Sequence, residues 1–266
     1  MPNSTGSDGS RSGSALARLR VGEPVFGVLQ LIPDPTLTEL AVWSGYDFII
    51  LDGEHGVRDE RAYLGCLQAI SGTDSFAIIR VAPGQLDAIG RYLDFGADGI
   101  MMPDVRTAAE AASFVRAATF GPLGTRSSTS IGTRSTRYGL AGPARPAESP
   151  LLLAQIEGME AVENVTAIAA TVGLGGLIVG SHDLSADQGT PGDHATEAYQ
   201  DAFLKIEHAA TEAGLLLGGG AHPGYPIERL IAGGHRVIVA SVDIVALREG
   251  FLSHLKAARA SRVGLR

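Results

Sequence analysis

Short runs of apolar residues alternate with stretches of helical spacing along most of the chain. Apolar runs at 25–31, 48–51, 75–80, 99–102, 151–156, 175–179, 215–217 and 236–240 are rich in Ile, Val and Leu. They are continuous rather than alternating, as expected of parallel strands covered on both faces. Apolar residues at three- and four-residue intervals predict helices over 14–20, 36–44, 58–70, 86–95, 108–119, 159–170, 196–212, 227–232 and 243–260. Eight strands mostly separated by helices, in a chain near the ~250 residues of a (β/α)8 barrel, predict that α/β fold. An open doubly wound sheet is the rival. It lacks support because no Gly-x-Gly-x-x-Gly turn follows a strand; the run at 218–220 reads as a turn after strand seven, without that spacing. Residues 1–13 are Ser/Gly-rich and read as a disordered tail, leaving 14–266 as one barrel domain. The stretch 121–147 has no period and carries Arg126, Arg134, Arg137 and Arg145. It is expected to border the barrel mouth or a subunit contact.

The polar residues gather where strands end. The first strand ends at Gln30, and the second runs into Asp52, Glu54 and His55 on a glycine-flanked turn. Strand three ends in Arg80, five in Gln155 and Glu157, six in Ser181, His182 and Asp183, seven in His222, and eight in Ser241 and Asp243. Barrel enzymes carry their chemistry at this end. Helix capping could account for Asp183 and Asp243, but it explains His55, Arg80 and Glu157 poorly. Glu157 and Asp183 come from adjacent strands, and two carboxylates completed by water and a chelating substrate suit Mg²⁺ or Mn²⁺. No His-Glu-x-x-His occurs, and His208 and His254 fall within predicted helices. Arg80 offers a charged fork for a carboxylate or phosphate. His55 has the pKa range of a general acid/base.

Composition narrows the chemistry. Lys205 and Lys256 are the chain's lysines, and both lie in predicted helices. This placement argues against a strand-end Schiff base, and keto-acid chemistry would then need a metal to polarise the substrate. Cys66 stands alone, so there is no intrachain disulfide and no cysteine metal site. A net charge of −8 disfavours nucleic-acid and membrane-surface binding. No apolar run is long enough to span a membrane and no signal-like segment opens the chain, so a cytoplasmic protein is expected.

Four stretches in order, LDGEHG (51–56), ADGIMMPDVRTAAEA (97–111), QIEGMEAVEN (155–164) and VGSHDLSADQG (179–189), resemble the HpcH/HpaI aldolases. These are divalent-metal-dependent pyruvate aldolases with a barrel of the phosphoenolpyruvate/pyruvate-domain type; 2,4-dihydroxyhept-2-ene-1,7-dioate aldolase and macrophomate synthase belong among them. The resemblance runs from about Val21 to Gly250. It implies a carbon–carbon lyase that cleaves or forms a 4-hydroxy-2-keto acid through a metal-bound pyruvate enolate, with an aldehyde as partner. Glu157 and Asp183 would hold Mg²⁺ or Mn²⁺, with Co²⁺ or Zn²⁺ as substitutes. Arg80 would stabilise the enolate oxygen, and His55, oriented by Asp52, would act with a metal-bound water as acid/base. Gln155 would touch the keto acid, while Gly180, Ser181 and His182 would hold its carboxylate. The resemblance also implies a hexamer, a trimer of dimers in which the last helix is exchanged between barrels.

The chain departs from the pattern in three places. Leu29 stands where tryptophan is common. Gly121-Pro122-Leu123-Gly124-Thr125-Arg126 keeps the second arginine of a two-arginine turn and loses the first. Ser181-His182 stands where Pro-x is usual. These changes leave open decarboxylation of oxaloacetate, or a malyl- or macrophomate synthase-type reaction. A catalytically silent binding member is opposed by the intact set Asp52, His55, Arg80, Glu157 and Asp183. A phosphate-binding barrel is opposed by the lack of a glycine-rich turn after strand eight.

Overall fold

The computed structural model describes residues 14–128, 132–140 and 149–261; the tail expected over 1–13 lies outside them. Eight parallel strands close into one barrel in chain order. They are β1 (Val25–Gln30), β2 (Phe48–Asp52), β3 (Phe76–Arg80), β4 (Gly99–Met102), β5 (Leu151–Ile156), β6 (Gly176–Val179), β7 (Leu216–Gly220) and β8 (Val237–Val242). Helix α1 (Ala15–Arg20) precedes β1. Helices α2 (Pro35–Trp43), α3 (Glu60–Ala69), α4 (Ile89–Asp94), α5 (Ala108–Ala118) and α6 (Met159–Ala169) follow β1 to β5 in turn. After β6 come α7 (Ser181–Asp187) and α8 (Glu197–Glu212); α9 (Ile227–Ala232) follows β7, and α10 (Asp243–Ala260) follows β8. The (β/α)8 barrel read from the apolar runs is therefore the fold.

Two elements differ from expectation. Residues 181–187 form a helix where the apolar spacing predicts no element, because one leucine among six polar and small residues is too little to show a period. The glycine run at 218–220 lies inside β7, not after it. A side chain at Gly218 would run into the backbone of Val237, so the strand needs glycine to approach β8 closely.

The strands are buried on both sides, yet their side chains still alternate. One set fills the barrel interior: Val25, Phe48, Ile50, Phe76, Ile78, Met101, Leu153, Ile178 and Val237 pack into one cluster. Their neighbours, among them Ile49, Leu51, Ile79, Ile100, Ala154, Ile156 and Leu177, pack against the helices. Ala15, Leu16 and Leu19 of α1 join the interior cluster, so α1 stops the barrel at its N-terminal end. With that end stopped, the opposite end is left as the mouth.

The described part of the arginine-rich segment lies away from the mouth. Arg126 pairs with Asp94 at 2.7 Å. Arg134 donates to the carbonyls of Phe95 at 2.8 Å and Leu67 at 3.0 Å. Both carbonyls stand where α4 and α3 end, next to the loops that feed β4 and β3. The reason is topological: the segment joins the end of α5 to the start of β5, and both face the closed end. Arg145 lies outside the described residues. No helix among the described residues is long and apolar enough to cross a membrane.

Candidate active site

Parity decides which strand-end residues face one another. Counting in twos from Phe48 and Ile50 leads to Asp52 and then Glu54. Counting from Phe76 and Ile78 leads to Arg80, from Leu153 to Gln155 and Glu157, and from Ile178 to Gly180. All of these lie on the inward track at the mouth. Asp52 and Arg80 are paired in register across β2 and β3. Their side chains form a two-point ion pair, with Arg80 Nε donating to Asp52 Oδ1 at 2.9 Å and Nη2 to Oδ2 at 2.8 Å. Arg80 Nη1 lies 3.0 Å from Glu54 Oε2 and 3.5 Å from Gln155 Oε1. Burial alone would lower the Arg80 pKa; the Asp52 carboxylate, then Glu54 and Glu157, reverse this and raise it, so the guanidinium stays charged.

Asp52 has a second role. Its Oδ1 accepts the backbone N–H groups of Glu54 at 3.0 Å and His55 at 3.3 Å. The carboxylate thus shapes the turn as well as holding the arginine. Gly56 closes the turn, where any side chain would strike the backbone oxygens of Asp52 and Leu31. The His55 imidazole projects outward, 62% exposed, with Nε2 3.8 Å from Glu54 Oε2. Asp52 therefore orients His55 through the main chain, while the acid facing the ring is Glu54. Burial raises the Glu54 pKa; Arg80 and then His55 offset part of that rise.

Glu157 is buried and fixed from two sides. Its Oε1 accepts the Asp104 backbone N–H at 2.7 Å, and its Oε2 accepts from Gln155 Nε2. Asp104 holds a left-handed φ of 51°, a strained conformation for a residue with a side chain. Burial pushes the Glu157 carboxyl up to about 7, and the like charges of Glu54 and Asp183 add to this. Asp183 stands exposed in the first turn of α7 and makes no capping bond there, so capping does not explain it. Gly180 lies between the acids: a Cβ there would sit 2.5 Å from Glu157 Cβ and Oε2 and 2.9 Å from Gln155 Nε2.

A cavity of about 400 Å³ opens over these groups, lined by the acidic residues Glu54, Asp104, Glu157, Glu160, Asp183 and Asp187, with His55 and Arg106. Arg106 is held by Asp104 through Nε at 2.8 Å and Nη2 at 2.8 Å. Among the described residues no three His, Cys, Asp or Glu side chains enclose a metal. A cation here would be open-sided, held by the two carboxylates with the rest of its shell from solvent or substrate.

Gln30, Asp243 and His222 have contacts away from this cavity. Gln30 points outward and donates to the Ile32 and Asp34 carbonyls at 2.8 and 3.1 Å. Asp243 is the first residue of α10 and makes no capping bond; its carboxylate accepts from the Ile32 N–H at 2.9 Å, tying the end of β1 to the start of α10, and from its neighbour Ile244 N–H at 2.6 Å. His222 stacks on His194 with ring centroids 4.0 Å apart. Ser181 and His182 open α7 and do not line the cavity. Sequence reasoning passed over Asp104 and Arg106. The available signal is the polar pair two and four residues beyond Met102, just past the C-terminal end of β4.

A (β/α)8 barrel whose acids, arginine and histidine converge on one open mouth belongs to the class of barrel enzymes. The model of the HpcH/HpaI aldolase/citrate lyase family matches residues 30–248, and the chain belongs to that family. It is 37% identical over 205 residues to a hydroxypyruvate/pyruvate aldolase of Pseudomonas aeruginosa, covering 75% of this chain and 76% of the relative. Among solved structures, an HpcH/HpaI aldolase/citrate lyase family protein from Burkholderia cenocepacia superposes with a TM-score of 0.85 at 28% identity, covering 91% of this chain and 98% of the other. Macrophomate synthase superposes with a TM-score of 0.80 at 29% identity, covering 95% and 89%. The protein is accordingly an aldolase-type lyase.

Proposed function

We propose that the protein is a divalent-metal-dependent aldolase that forms or cleaves a 4-hydroxy-2-keto acid through the enolate of pyruvate, with an aldehyde as partner. The observation that carries the reading is the convergence of Asp52, Arg80, Gln155 and Glu157 on the inward track, beside Asp183. A metal fits this donor set. Glu157 is held rigid by Asp104 and Gln155, Gly180 leaves the space beside it clear, and the crowded acids gain from a cation. All the donors are oxygens, which suits Mg²⁺ or Mn²⁺. When bound by Glu157 and Asp183, the ion supplies Lewis-acid polarisation of the keto acid.

The chain's own groups do the rest. Arg80, held at two points along one edge by Asp52, presents Nη1 toward the oxygen on which charge collects, and its permanent charge makes it a preorganised stabiliser. Gln155 holds Glu157 through its Nε2 and faces the substrate space beside Arg80. His55, at the rim with its ring accessible, takes or returns the proton as the carbon–carbon bond is made or broken. Assembly through α10 belongs to the same reading. Phe251 is 71% exposed and Leu252 60% exposed on that helix, as expected of a surface covered by another subunit.

The test is exchange of the pyruvate methyl protons for deuterium, followed by NMR. Exchange with Mn²⁺ or Mg²⁺ that disappears with chelator and in His55→Ala supports the proposal. Exchange that persists in chelator refutes metal dependence. Folded, metal-loaded protein that gives no exchange with pyruvate, yet turns over oxaloacetate, would replace the aldolase reading by decarboxylation.

A further inference from the structure

The charges around the mouth select the partner of the enolate. On the proposed reading, Glu157 and Asp183 are matched by a divalent cation, and the keto acid then brings a negative charge of its own. The described cations at the mouth are already engaged. Arg80 is held by Asp52 and Glu54. Arg106 is locked to Asp104 by two bonds of 2.8 Å, and Asp104 is itself held in place because its N–H serves Glu157. The His55 ring lies beside Glu54. Glu160 and Asp187 also line the cavity, and among the described residues neither forms an ion pair. Asp187 accepts one N–H, from Met159 at 2.7 Å. An aldehyde carrying a carboxylate would therefore meet two further acids that no direct ion pair neutralises, and described arginines that already face carboxylates.

We infer that the acceptor is an uncharged short aldehyde, and that Glu160 and Asp187 act as specificity residues that repel anionic ones. Carboxylates accept hydrogen bonds and donate none, so the acceptor that matches this wall best carries hydroxyl donors, as a hydroxyaldehyde does. Two like charges at the rim discriminate by about tenfold at low salt, and screening removes the effect as salt rises. This inference rests on the enolate reading above.

The test compares two aldehydes that differ in charge, succinic semialdehyde and its methyl ester, with pyruvate as donor and Mn²⁺-loaded protein. Each is measured as kcat/KM, and the ratio of the two is the readout. The ester is expected to be favoured about tenfold at low ionic strength. The ratio should fall toward one in 0.5 M salt, and also in the double variant Glu160→Gln/Asp187→Asn, through recovery of the charged aldehyde. Glyceraldehyde should outperform propanal. A wild-type preference for the charged aldehyde, or a ratio unmoved by the double variant, overturns the inference. Pyruvate that exchanges deuterium while no aldehyde is consumed also overturns it, since the acceptor is then not an aldehyde. Absence of exchange instead removes the donor reading beneath it.

Discussion

Replacing Gly180 by alanine adds one carbon where the mouth has no room for it. The backbone there, at φ −85° and ψ 77°, is open to alanine, so the cost is steric. The new Cβ would stand 2.5 Å from Glu157 Cβ and Oε2, against the 3.4 Å at which ordinary contact begins; the overlap is about 0.9 Å. Glu157 cannot turn aside freely, because it is held by the Asp104 N–H and by Gln155, whose oxygen faces Arg80. The shift therefore passes to the groups that meet the substrate. Overpacking of this kind costs about 1–3 kcal/mol, a fall in Tm of roughly 2–10 °C for a domain of this size. A displacement near 1 Å at a reacting centre costs on the order of 100-fold in rate. Metal-dependent pyruvate exchange and thermal melting should be measured side by side. Gly90→Ala is the control, since its Cβ would make an ordinary 3.6 Å contact with Arg126 Cγ in the helical layer. Unchanged exchange in Gly180→Ala, with the control also unchanged, would refute the claim that Gly180 clears space for Glu157.

Two further outcomes follow from groups outside the reaction. Burial, then the neighbouring His194, holds the His222 pKa down to about 4, from 6.5 when exposed. A depressed histidine pKa means that the unfolded chain binds the proton first, so stability is full above pH 6.5 and falls as the pH drops toward 4. Discounted for partial exposure, the loss is of order 1–2 kcal/mol; an equal acid sensitivity in His222→Phe, read by denaturant melts at pH 7 and 5, would exclude this cause. Arg134→Ala removes the bonds to the Phe95 and Leu67 carbonyls and should cost about 2 kcal/mol, seen as a Tm lower by roughly 4–8 °C. Pyruvate exchange per folded molecule should not change, because the contact lies at the closed end of the barrel.

The barrel was legible because eight buried strands leave eight apolar runs and the helices between them keep their period. Helix α7 was not legible, since Ser181 to Asp187 is short and mostly polar. The site was legible as positions but not as partnerships. Asp52, Arg80 and Glu157 could be placed at strand ends, yet strands buried on both faces do not show which residues point inward. Gln30 illustrates the loss: it ends a strand as Arg80 does, but with opposite parity, and it serves the turn before α2 instead of the mouth. Asp104 was hidden for a different reason. It holds Glu157 by a backbone N–H in a strained conformation, and a main-chain contact leaves no mark in residue type. The orientation of His55 was likewise unreadable, because Asp52 reaches it through the amide and leaves the ring to Glu54.

Helix α10 has a consequence for how the protein behaves at different concentrations. Asp243 is its one buried position among the described residues, while Phe251, Leu252 and Leu255 face solvent and so do Leu40 and Trp43 of α2. An assembly that covers these surfaces ties stability to mass action: each tenfold dilution of a dimer weakens it by about 1.4 kcal/mol. Newly made chains, still scarce, would then be the ones most open to proteases, and resistance would rise as the protein accumulates.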